Sequence, residues 1–123
     1  MEKITIDLQK DRIRPVVEFM GLNALIDSGA DISVCNLTAN VFELIFEYES
    51  KTRSHITGFG GKCEGYGYLV KKINVGTETF YDVPFFVPDV VTSEENFVIS
   101  GSVFQNYAYE IDMKNHVMTL RKV

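Results

Sequence analysis

The chain has 123 residues, 46% of them hydrophobic, with 12 Lys and Arg against 17 Asp and Glu for a formal charge of -5. That apolar content supports one domain with a real core, spanning residues 1–123, and excludes a disordered or collagen-like chain. The acidic balance, with no basic run and no aromatic-plus-Arg patch, argues against nucleic acid as a partner.

The first residues show no basic stretch followed by an apolar one, so no secretory leader is read. No apolar run approaches the ~20 residues of a membrane helix. The expectation is a cytoplasmic protein with no membrane partner. Ile4, Ile6 and Leu8 alternate with Lys3, Thr5, Asp7 and Gln9, the pattern of a half-buried strand. Asp11-Arg12 turns the chain, and residues 13–19 read as a second strand whose Pro15 favours an edge or a bulge. After a turn at residues 20–23, Ala24-Leu25-Ile26 is an apolar strand that delivers Asp27 into Ser28-Gly29-Ala30-Asp31. Ile32 and Val34 then alternate with Ser33 and Cys35. Residues 36–46 are ambiguous; one reading is a short helix capped by Thr38 or Asn40, with Val41, Leu44 and Ile45 on one face. Residues 47–54 are polar and read as a loop.

Strand-like residues next flank Gly58-Phe59-Gly60-Gly61, three glycines in four positions around one Phe. Such a sequence writes a hairpin tip, because Gly supplies positive φ and lets backbone approach a ligand closely. The returning strand carries Gly65 and Gly67 among Tyr66, Tyr68, Leu69 and Val70. Another strand and turn follow at residues 73–77. Residues 80–87 form an apolar strand broken by Pro84 and ended by Pro88, and residues 90–96 a polar loop. Phe97-Val98-Ile99 is a short strand, Ser100-Gly101-Ser102 turns it, and residues 103–107 make one or two helical turns. Residues 109–121 close the chain as a hairpin. Short strands with frequent turn signals predict an all-β fold, a small closed barrel or sandwich.

Alone, Asp-Ser-Gly is a common turn, in which Asp and Ser bond their own backbone. Three features taken in order say more: an apolar strand ending in Asp27-Ser28-Gly29-Ala30, a glycine-rich hairpin tip about thirty residues on, and an apolar strand entering Ser100-Gly101 before a short helix. Together they resemble the retropepsins, the single-lobe aspartic proteases of retroviruses and their cellular and bacterial relatives. Leu25 to Asp31 is similar to the family's apolar-apolar-Asp-Thr/Ser-Gly-Ala signature, residues 56–61 to its flap tip, and residues 98–101 to the element before its C-terminal helix. The resemblance implies a closed β-barrel of the acid-protease type with a flap hairpin and one or two short helices. It also implies an aspartic endopeptidase acting on peptide or protein substrates without metal or cofactor. Asp27 would be the catalytic acid. Ser28, Gly29 and Ala30 would support it, and Asp31, Gly58, Phe59 and Gly60 would bind substrate.

Hydrolysis by this route needs two carboxylates sharing one proton around a water. The sequence holds a single Asp-Ser/Thr-Gly; Asp7, Asp11, Asp82, Asp89 and Asp112 lack its flanks. The dyad therefore requires Asp27 of a second chain across a two-fold axis, a homodimer. Ser102 and Val103 stand where retroviral members carry an Arg or Asn near the helix, so the family's usual ion pair to Asp31 is not implied here, and Arg12 or Arg14 could supply a cation instead. The rival expectation is a retropepsin-like domain that binds extended peptides or mediates assembly without hydrolysis. His55 and His116 have no neighbours at metal-ligand spacing. Cys35 and Cys63 show neither CxxC nor zinc spacing and read as free, largely buried thiols in a reducing compartment.

Overall fold

The computed structural model describes residues 3–58, 61–91 and 95–123. Along them run β1 (Lys3–Asp7), β2 (Val16–Phe19), β3 (Leu22–Asp27), β4 (Ser33–Cys35), α1 (Ala39–Ile45), β5 (Tyr48–Gly58), β6 (Gly61–Val75), β7 (Glu78–Pro88) and β8 (Phe97–Ser100). A 3-10 turn (Gly101–Phe104), β9 (Tyr107–Asp112) and β10 (Val117–Lys122) complete the order. The fold is mostly β, as the turn-punctuated sequence predicts. Among the described residues, no helix is long and apolar enough to cross a membrane.

The strands form two sheets. In the smaller, β10 lies between β1 and β9, and all pairing is antiparallel. In the larger, the order is β2-β3-β8-β4-β7-β6-β5. The β2–β3 connection is a two-residue loop, Met20 at φ +55° and Gly21 at φ +76°. Two consecutive positive φ values match the right-handed twist of a tight hairpin, and Gly21 adopts one at no steric cost. β2 is the edge strand next to β3, and it begins after Pro15 rather than at Ile13, which is 97% exposed. Pro15 still contributes, its carbonyl accepting from the Ile26 amide at 2.8 Å.

Local expectations are corrected at β5, β7 and β4. The stretch read as a loop over residues 47–54 belongs from Tyr48 onward to β5, the opposite edge of the sheet. Its Glu49, Lys51 and Arg53 are exposed, and a solvated edge strand carries charge because charge blocks pairing with other chains. β7 runs through Pro84 unbroken. β4 pairs with β7 only at Phe85 and Phe86, so Pro84 lies just outside that ladder and removes no bond from it. In β4 the buried side chains are Ser33 and Cys35, while Val34 is half-buried. β4 is paired on both edges, and Ser33 turns inward because its hydroxyl has a partner there.

Thr38 caps α1, its hydroxyl accepting from the Val41 amide at 3.3 Å. The inward face is not the one expected: Leu44 is 87% exposed, and Phe42 is fully buried. Aromatic packing decides this. Phe42 meets the Tyr68 ring at 4.5 Å between centroids, Phe46 packs on Phe19 and Phe85, and Phe19 meets Phe97 edge-on at 4.8 Å. Each such pair adds about 0.5–1.5 kcal/mol beyond burial of its area, which an aliphatic face at positions 41, 44 and 45 does not match. A second aromatic group, Phe80, Phe104, Tyr107 and Tyr109, anchors the 3-10 turn between β7 and β9.

Candidate active site

The topology builds the surroundings of Asp27. β3 and β4 are consecutive in sequence but not neighbours, because β8 is inserted between them, parallel to β3 and antiparallel to β4. The connection from Asp27 to Ser33 must therefore cross the width of a strand, about 10 Å at the usual interstrand spacing. It passes over the end of β8, where Asp27 is in register with Ser100. Asp27 is half-buried, Ser28 and Gly29 are exposed, Ala30 is half-buried and Asp31 is exposed. The Gly29 amide donates to Asp27 Oδ1 at 3.0 Å, and the Ala30 amide donates to the Asp27 carbonyl at 3.2 Å. Both are local turn bonds that aim N–H groups at the end of the strand.

Gly29 does not have a left-handed φ, and a side-chain carbon built there would meet Asp27 Oδ1 at an ordinary 3.5 Å. Within one chain the turn does not demand glycine. The space beside it is open.

Three serines fasten this connection to the C-terminal part of the chain. The fully buried Ser100 donates its hydroxyl to the Ala30 carbonyl at 2.6 Å. Its backbone N–H donates to Ser33 Oγ at 3.0 Å. Its Oγ also lies 2.8 Å from Ser102 Oγ and caps the 3-10 turn by accepting from the Ser102 amide at 3.1 Å. Gly101 then passes beneath Ser28: a side-chain carbon there would sit 3.0 Å from Ser28 Cα and 3.1 Å from its carbonyl oxygen. Glycine suits 101 because any side chain there would crowd the Ser28 backbone, and the Tyr109 hydroxyl would lie at 3.0 Å as well.

Among the described residues no cation pairs with Asp31. Arg12, a candidate from the sequence, pairs instead with the buried carboxylate of Glu95, and Arg14 makes no ion pair among the described residues. The connection is held by neutral hydroxyls. The sequence reads Ser100 only as the start of a turn and Ser33 as the polar partner in the Ile32–Val34 alternation. At Ser33 the Ile32–Val34 period itself assigns the apolar side chains to the other face, so it carried no signal of an inward hydroxyl.

The second group of expected site residues lies on the β5–β6 hairpin. Gly58 ends β5, Gly61 begins β6 with φ +91°, and the two are in register. Phe59 and Gly60 lie outside the described residues. β6 pairs with β7 only from Gly65 onward, so residues 61–64 and their partners 55–58 extend beyond the sheet as a two-stranded ribbon. At Gly65 the approach to β7 is tight: a side-chain carbon would lie 2.3 Å from the Val87 carbonyl oxygen.

At the root of the hairpin, Glu43 of α1 accepts from Tyr68 at 2.6 Å, Lys51 at 2.6 Å and Tyr48 at 3.2 Å. These bonds, that from Lys51 foremost, hold its carboxyl below the usual range. Higher up, Arg53 makes a two-pronged contact with Asp89, one prong at 2.8 Å from Nη1 to Oδ1. Neither thiol is paired; burial pushes Cys35 up to about 11, which keeps it protonated and inert, and Cys63 is half-buried.

No protein-family model and no curated protein sequence matches the chain. Its structure is similar to that of a retropepsin-like aspartic protease from Rickettsia conorii, with a TM-score of 0.58 over 98% of this chain and 99% of that one, at 13% sequence identity. The fold is that of a retropepsin-like aspartic protease.

Proposed function

We propose that the chain is an aspartic endopeptidase, one domain over residues 1–123, that works in the cytoplasm as a homodimer. The carrying observation is Asp27 at the end of β3, on a connection fastened from below by Ser100 and Gly101 and open to solvent at Ser28 and Gly29. A carboxylate so placed is rigid on its inner side and accessible on its outer side, which suits a site completed by a second copy. The retropepsin-like fold supports the reading, as do two unpaired thiols for a reducing compartment.

In this mechanism the Asp27 carboxylates of the two protomers share one proton, because two like charges so close do not both ionise. The ionised one takes a proton from a water held between them, and the water oxygen attacks the scissile carbonyl carbon. The protonated one gives its proton to the carbonyl oxygen, forming a neutral tetrahedral diol. Collapse of the diol breaks the C–N bond: the acid that took the water's proton protonates the amide nitrogen, while the partner Asp27, now ionised, takes a proton from a diol hydroxyl, whose oxygen becomes the carbonyl oxygen of the new carboxyl group. Ser28 would bond across the axis. The open space at Gly29 and the small Ala30 would admit the substrate backbone, with Asp31 receiving one of its N–H groups. The substrate would lie extended, with Gly58, Phe59 and Gly60 closing over it and excluding water.

The test is Asp27→Asn. It should abolish cleavage of an unfolded protein substrate, a loss of at least about 10³-fold, since no second carboxylate on the chain replaces the lost one. Sedimentation should show the same dimer for parent and variant. Equal cutting by both would refute the assignment. A parent that binds extended peptides but never cuts them would establish the non-hydrolytic reading.

A further inference from the structure

We propose that Asp89 is the pivot of the β5–β6 hairpin, a positioning residue that fixes where the ribbon bends away from the sheet. Asp89 is the residue that follows β7, at the level where β6 loses its third strand. Its backbone amide donates to the Glu64 carbonyl at 3.0 Å, the bond next beyond the Gly65–Pro88 pair. Its carboxylate grips Arg53 of β5 through both oxygens. One residue thus holds both strands of the ribbon, β6 by main chain and β5 by side chain.

The Arg53 guanidinium also lies 4.8 Å from the centroid of the Tyr66 ring, its cross-strand neighbour. Stacked and gripped at once, a planar guanidinium has few orientations left, which a Lys ammonium would retain. Beyond this point, pairs 55–64 to 58–61 are held by their own ladder. Below it, β7 supports β6 continuously, Gly65 is in close contact with β7, and Glu43 ties the root to α1. A bend therefore falls at the Asp89 level rather than lower. The chain continues from Asp89 into exposed Val90 and Val91, so the same grip also ties the start of that segment to the ribbon.

The lid role rests on the proposed function; the pivot itself does not. The experiment is hydrogen exchange by mass spectrometry on the intact protein, comparing parent, Asp89→Asn, Arg53→Gln and the double variant. An exposed ion pair contributes little to global stability, so its loss should accelerate exchange over residues 55–64 by about two- to fivefold and leave β10 unchanged. The double variant should match either single one. Unchanged exchange over residues 55–64, or an equal rise in β10, would overturn the pivot. With a peptide substrate, Asp89→Asn should raise KM about two- to fivefold while kcat stays within about twofold, the sign of lost lid binding. A localised exchange change with an unmoved KM would overturn the positioning role. If the parent cleaves nothing, the endopeptidase reading fails, and exchange still decides the pivot.

Discussion

Ser100→Ala tests whether hydroxyls have replaced charge beneath the Asp27 connection. The substitution removes the bond to the Ala30 carbonyl and the cap on the Ser102 amide, and it leaves the backbone N–H to Ser33 Oγ in place. A lost cap costs about 1 kcal/mol. An acceptor stripped of its partner costs about 1–3 kcal/mol; Ala30 is half-buried, so water can reach its carbonyl and the lower half of that range applies. The sum is about 2–3 kcal/mol, which for a chain of this size lowers the melting temperature by about 8–12 °C. Urea unfolding should show a lower midpoint with an unchanged slope, the mark of altered stability rather than altered compactness. Ser102→Ala, at an exposed position and removing only the contact between hydroxyls, should cost under about 1 kcal/mol. A loss of under about 0.5 kcal/mol for Ser100→Ala would refute the reasoning, because an indifferent buried hydroxyl cannot be what fastens the connection.

Gly101→Ala pushes a methyl group to 3.0 Å from Ser28 Cα. It should lower kcat for peptide cleavage at least about tenfold, the penalty for a small displacement of a reacting group, with a circular dichroism spectrum like the parent's. Gly65→Ala is predicted to be far worse for folding than for chemistry. A carbon 2.3 Å from the Val87 carbonyl oxygen forces β6 from β7, and unfolding should show a loss of about 3 kcal/mol or more or no folded protein at all. The carboxyl of Asp112 is held below its ordinary value of 3.8 by Asn115 first, then by the Asn115 and Lys114 amides in the β9–β10 turn. A depressed folded-state value adds stability above the ordinary value that disappears as pH falls through the folded one. The stability advantage of the parent over Asp112→Asn, followed by urea titration, should therefore be present at pH 6 and shrink below about pH 4.

The legible parts of this chain are those where one physical signal dominates. The alternation from Ile4 to Leu8, the Met20-Gly21 turn and the apolar run into Asp27 each carry a single period or a single backbone demand, and the structure realises them as β1, the β2–β3 hairpin and β3. The spacing of the three motifs foretold a retropepsin-like fold. Readings failed where tertiary context set the outcome. β5 is polar because it is an edge, and its partner β6 is what makes it a strand. The α1 face follows aromatic neighbours from β2, β6, β7 and β8 that a window around residue 42 does not contain. Ser33 points inward to meet an amide 67 positions away. At the candidate site the carboxylate was visible as a motif. Its fastening was not, because Ser100, Ser102 and Gly101 act through contacts that local periodicity does not encode.

The insertion of β8 between β3 and β4 has a consequence for how the molecule comes into being. The Ala30 carbonyl waits for a hydroxyl 70 positions downstream, and β1 waits for β10, whose Arg121 is in register with Lys3. On a ribosome adding about 5–20 residues per second, the segment around Asp27 has no floor for several seconds after it emerges. Contacts so distant in sequence also place the chain among slow folders, on the order of milliseconds to seconds. Order in time thus follows from order in the sheet: the carboxylate appears early, and the framework that aims it is assembled last. The Asp27 connection therefore stays unfastened until β8 and the 3-10 turn have been made.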